Sequence, residues 1–150
     1  MNNEETLLWC FKSIIQFNET GGNKVGEVDP LLERKMINSE LKELFEDGIL
    51  AGNLKETMDG TGDVMVVFVG TIWKLGLWDK FPAILKAICE SNMSKFCDTE
   101  EEAKDTVDHY KDLGVETSYT LVEKYNKYVI KDTKGKILKS IKFKKPVFNV

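Results

Sequence analysis

Residues 54–70 read LKETMDGTGDVMVVFVG, and the fold turns on whether they form a strand or a helix. Val64 to Val69 is an unbroken apolar run rich in β-branched residues, as in a buried strand. Yet from Leu54 to Leu75 there are 22 residues, too many for one strand, with only the glycines at 60, 62 and 70 as internal breakers. In a helix, Glu56, Asp59 and Asp63 stack along one face within roughly 60° of each other. In a strand, Asp59 and Asp63 would share a face and Glu56 would oppose them. The spacing therefore predicts a helix, apolar nearly all round over 64–69, as expected for a helix central to a bundle or covered by a second subunit.

Outward from this stretch, periodicity predicts more helices. Leu7, Leu8, Phe11, Ile14 and Ile15 recur at helical spacing over Glu4–Phe17, and TGGN then stops the helix. A second helix starts near Asp29-Pro30 and runs toward Leu50, with DGILAGN as its frayed end. Asp79 reads as the N-cap of a helix carrying Phe81, Ile84, Leu85 and Ile88. Thr99 with Glu102 reads as a capping box opening a short, very polar helix that ends at Gly114. From Thr117 the period changes to alternation with turns at Tyr125-Asn126 and DTKGK, a small antiparallel meander.

The 150 residues suit one domain of ordinary globular composition. No stretch has the pattern of a signal peptide or the length of a membrane helix, so a cytoplasmic protein is expected, bacterial or encoded by a virus of such a host, with no membrane partner. Cys10, Cys89 and Cys97 lack metal-site or disulfide spacing and read as buried or half-buried thiols. The single histidine, His109, lies in a charged segment and reads as neither base nor ligand. Charge is uneven: Glu27 to Asp63 holds ten acidic residues against four basic, and Lys124 to Lys145 nine lysines against one aspartate. Such a division suits cations on one side and phosphate on the other, or else two solvated surfaces. The lysines lack interleaved arginine and the chain is acidic overall, so nucleic acid is not the expected partner.

The second helix carries Glu40 and Glu43 within INSELKELFEDG. Two neighbouring helices with facing carboxylates repel unless a cation lies between them, and Mg²⁺ takes such oxygen ligands. A solvated face is the alternative for both sets.

The order of E-x-x-E, then ETMDGTGDVMVVFVGTIWKLG, then ESNMSKF, then GKILKS, then a terminal F-x-x-P-V-F resembles the MazG-like nucleotide pyrophosphohydrolases. That superfamily also holds phosphoribosyl-ATP pyrophosphohydrolase and the dimeric dUTPases. The likeness is greatest to its small phage and bacterial members and covers about Leu31 to Phe148, with 99–131 as an insertion in a single domain, 1–150. It implies a mainly α fold: an all-α nucleoside triphosphate pyrophosphatase helix bundle, here with a small C-terminal β meander, working as a homodimer or homotetramer. It also implies cleavage of a (deoxy)nucleoside triphosphate to monophosphate and pyrophosphate with Mg²⁺, or Mn²⁺ in its place.

On this resemblance Glu40, Glu43 and Asp63 match the family's acidic residues, and Glu56 and Asp59 are further metal ligands. Glu40 or Glu43 would orient or deprotonate the attacking water. Lys95 and Lys139 match basic residues placed near phosphates, Asn92 would contact base or sugar or cap its helix, and Lys74 would be a further substrate residue or a solvated lysine. Trp9, Phe11 and Phe17 would line a base pocket or form core. Two departures stand out: Ser39 precedes Glu40 where many relatives have a second glutamate, and Gly60 stands three before Asp63 where many have another. Asp59 can fill the second gap, and Glu46 or a water the first. These departures leave room for a binding or regulatory module that has lost catalysis, and a purely structural helical oligomer is a third reading.

Overall fold

The structure, a computed structural model, describes residues 1–149. The described residues are mainly helical, with five α-helices followed by a three-stranded antiparallel sheet. They pack as two units, one ending at Phe81 and the other starting at Pro82, and no Gly- or Pro-rich linker marks the join, which falls at the start of a helix.

In the first unit, α1 spans Asn3–Thr20, opened by a capping box between Asn2 and Glu5. Helix α2, Pro30–Lys42, starts at Asp29, whose side chain accepts from the amides of Leu31 and Leu32. A π-helical turn, Glu43–Ile49, continues the helix, so that of DGILAGN only 47–49 are helical and 50–53 lie beyond the end. The 54–70 stretch is helical: α3 runs Leu54–Lys74, capped by Asn53 and ended at Gly76, whose φ is +70°.

The glycines that made this stretch doubtful are where α3 meets its neighbours. A Cβ at Gly60 would lie 2.9 Å from the Leu44 Cα, and one at Gly70 2.9 Å from the Asn18 amide nitrogen. From the other side, a Cβ at Gly48 would lie 2.9 Å from the Thr57 backbone. At the far end, Glu33 of α2 pairs with Lys74 and accepts a 2.5 Å hydrogen bond from the Thr71 hydroxyl. Glu33 beside Thr71, Leu44 beside Gly60 and Gly48 beside Thr57 define one antiparallel hairpin. Its core is narrow: Val69, Ile72 and Trp73 are buried, whereas Met65 and Phe68 of the apolar run are half exposed.

In the second unit, α4 (Phe81–Met93) follows a 3₁₀ turn at Trp78–Lys80, so Asp79 lies inside that turn rather than capping the helix. Helix α5 is Glu100–Asp112, then β1 (Thr117–Val122), β2 (Lys127–Asp132) and β3 (Ile137–Leu138) pair in chain order. Asn126 and Gly135 take the positive φ that the turns require. The meander ends earlier than its alternation suggests, with 141–143 outside the sheet. Cys97, Ala103 and Ile130 form the core, with Val107, Tyr110, Tyr119, Tyr128 and Leu138 packed around them. Thus 99–131, the expected insertion, shares both core and sheet with the GKILK segment. Of the thiols, Cys97 is buried, Cys10 half-buried and Cys89 exposed.

Candidate functional site

The hairpin register decides which carboxylates meet. With Leu44 against Gly60, the turn bearing Glu40 and Glu43 faces the turn of α3 that holds Asp59 and Asp63. Partial burial, then the charges of Glu43, Asp63 and Asp59 in that order, push the Glu40 carboxyl above its ordinary value. Glu43, Asp63 and Asp59 therefore lie close enough to act on Glu40. Glu56, a turn earlier on α3, is exposed and is not among the charges acting on Glu40. Gly60 has a mechanical role, since any side chain there would separate the two helices. The π-helical turn beginning at Glu43 locally widens the helix at this contact, a departure often found at functional sites.

Clustered carboxylate oxygens are the donors that a hard divalent cation takes. Among the described residues, however, no three His, Cys, Asp or Glu side chains are set to hold one ion. Glu43, Asp63 and Asp59 act on Glu40 without forming a coordination sphere.

The remaining expected site residues divide. Lys74 is buried and paired with Glu33, so the structure gives it a partner inside the unit in place of the phosphate expected from sequence. An ammonium left unpaired there would be costly, and a carboxylate 41 positions away satisfies it. Asn92, Lys95 and Lys139 belong to the second unit and are brought together. Lys95 donates to the Asn92 side chain at 2.9 Å, and the Lys95 carbonyl accepts from the Ser140 amide at 3.0 Å. The Lys139 ammonium lies 4.4 Å from the centre of the Phe143 ring. In the first unit Phe11 packs edge-on against Trp78 at 5.7 Å, while Trp9 and Phe17 are exposed.

Sequence reading missed the buried polar residues that organise both units: Glu33, Glu102, Thr106 and Ser140. The 102, 106, 110 spacing along one face of a helix read as merely polar was the available signal. Even the capping box forms differently. Thr99 accepts from the Glu102 amide, but the Glu102 carboxylate reaches the amide of Asp98.

No family model matches the chain, and no solved structure does. Uncharacterized protein L479 of Acanthamoeba polyphaga mimivirus is 42% identical over 71 residues, covering 44% of this chain. The match takes in 28% of that protein's length. Among the described residues no single helix is long and apolar enough to cross a membrane.

Proposed function

We propose that this chain is a Mg²⁺-dependent nucleoside triphosphate pyrophosphohydrolase, cleaving a triphosphate to monophosphate and pyrophosphate. What supports the reading is that Glu43, Asp63 and Asp59 lie near enough to Glu40 to raise its carboxyl, beside the close approach of Gly60 to Leu44, in a chain whose motif order resembles the MazG-like enzymes. Glu40, Glu43, Asp59 and Asp63 would hold the ion, with Glu56 as an outer carboxylate. When bound, Mg²⁺ neutralises phosphate charge and lowers the pKa of a bound water. Glu40 or Glu43 would orient the attacking water toward the α-phosphorus or accept its proton. Within the second unit, Asn92, Lys95 and Lys139 would bind phosphate groups, the lysines as point charges. Lys74 takes no part in binding. A second copy of the chain covers exposed apolar residues of the first unit in a homodimer or homotetramer.

Gly60 in place of a carboxylate, together with the open arrangement of the other four, favours one rival: a module that binds nucleotide without cleaving it. One experiment separates them. Purified protein is incubated with Mg²⁺ and a panel of ribo- and deoxynucleoside triphosphates including dUTP, and the products are resolved. Monophosphate and pyrophosphate, reduced at least about a hundredfold in Glu43→Ala, are expected. Glu43→Ala turning over like wild type overturns the assignment, and intact triphosphates that nonetheless bind in calorimetry favour the module.

A further inference from the structure

The second unit carries a buried polar network whose partners are mostly backbone. Glu102 is 4% exposed, Ser140 3% and Thr106 0%. Glu102 accepts from the Ser140 hydroxyl at 2.5 Å, and its other oxygen stands 3.7 Å from the Lys142 ammonium. The Thr106 hydroxyl accepts from the Ile141 amide at 3.3 Å, and the Tyr110 hydroxyl donates to the Lys139 carbonyl at 2.9 Å. Three side chains one turn apart on α5 thus engage four consecutive residues, Lys139 to Lys142, just past the end of β3. Across this segment, the Ser140 amide bonds to Lys95 and the Lys144 amide to the Ser94 hydroxyl. Burying polar groups in so small a core is costly unless each is satisfied, and here they are spent on fixing a stretch with no regular structure of its own.

The segment so fixed carries Lys139 and Lys142 and bonds to the backbone of Lys95, and each of these ammonium groups has a partner of its own. Lys95 donates to Asn92, Lys139 lies over the Phe143 ring and Lys142 stands beside the Glu102 carboxylate. We propose that α5 is a clamp, with Glu102, Thr106 and Tyr110 as positioning residues that set Lys95, Lys139 and Lys142 as a preformed site for the phosphate groups of a polyphosphate ligand. This rests on the reading that the lysines of the second unit serve the substrate's phosphates, and extends it to a helix none of whose residues that reading uses. Preorganised ammonium groups bind phosphate without first ordering long side chains.

Inorganic pyrophosphate is the probe, titrated calorimetrically into the full chain. Wild type binds, and Lys139→Ala weakens binding. Thr106→Val with Tyr110→Phe, which keeps every charge, raises Kd about tenfold, the worth of two ordinary hydrogen bonds. Thr106→Ser, which restores the hydroxyl, binds like wild type. Tyr110→Phe alone serves as the milder variant if the double variant melts early, with a threefold or larger rise in Kd expected at unchanged melting temperature. Absence of pyrophosphate binding in wild type overturns the proposal, as do clamp variants that bind as wild type does. Binding through Lys139 in a protein that leaves every triphosphate intact sinks the hydrolase and leaves the clamp standing. Cleavage with clamp-insensitive binding does the reverse.

Discussion

Glu40 is the residue on which the acidic face registers. Its carboxyl is lifted above 4.5 by partial burial and by Glu43, Asp63 and Asp59, so the folded chain holds this proton more tightly than the unfolded chain does. The sign follows: its contribution to stability falls as pH rises through the window starting at about 4.5. In metal-free protein at pH 7, Glu40→Gln should therefore melt higher than wild type, the difference vanishing near pH 4; differential scanning fluorimetry across pH reads it. Mg²⁺ should raise the wild-type melting temperature more than that of the variant, because the ion binds only the folded arrangement. Lys74 makes the opposite case. Lys74→Met leaves the Glu33 carboxylate buried without its partner and should cost about 3–5 kcal/mol in denaturant unfolding, much of it recovered in Lys74→Met with Glu33→Leu. Its pairing was not legible in the sequence because the partner is 41 positions away, beyond any local pattern.

At the scale of elements, the helix over 54–74 was legible because length and the 56, 59, 63 spacing outweighed the β-branched run. Its glycines were not legible as contacts. Gly60 reads as a missing ligand in one dimension, whereas in three it lets α3 approach Leu44 and thereby sets the separation of the acidic turns. Two substitutions in one helix test this. Gly60→Ala should destabilise by about 1–3 kcal/mol because the added carbon meets backbone, which cannot step aside as a side-chain tip would. Gly62→Ala, with nothing within 4 Å, should stabilise by about 0.5–1 kcal/mol through helix propensity alone. Chemical denaturation of both variants checks the pair, and equal effects would remove the close approach as an explanation. The π-helical turn escaped notice for a related reason. Its residues carry ordinary helical propensities, and the packing of Gly48 against the Thr57 backbone is visible only in three dimensions.

At the scale of the whole molecule, the exposed apolar surface of the first unit bears on assembly. Met65 and Phe68 on α3 and Leu7, Leu8 and Trp9 on α1 remain largely uncovered in a chain whose first unit buries few large side chains. In the proposed homo-oligomer a second copy covers this surface. Phe68→Glu should then lower the mass measured by sedimentation equilibrium toward that of one chain and abolish the concentration dependence of the melting temperature. A wild type that sediments as a single 17.1 kDa chain would sink the oligomer.

By itself the sequence determined the helices, the meander and the residue types of both charged segments, because periodicity, caps and turn residues act over a few positions. Tertiary structure alone decided which of those residues meet. The glycines set the hairpin that brings Glu43, Asp59 and Asp63 within reach of Glu40's charge; Glu33 pairs with Lys74; and α5 reaches across 29 to 38 positions to hold the segment that follows β3. Such pairings depend on shape and on satisfying buried polar groups, and neither is written in the spacing of residues along a single element.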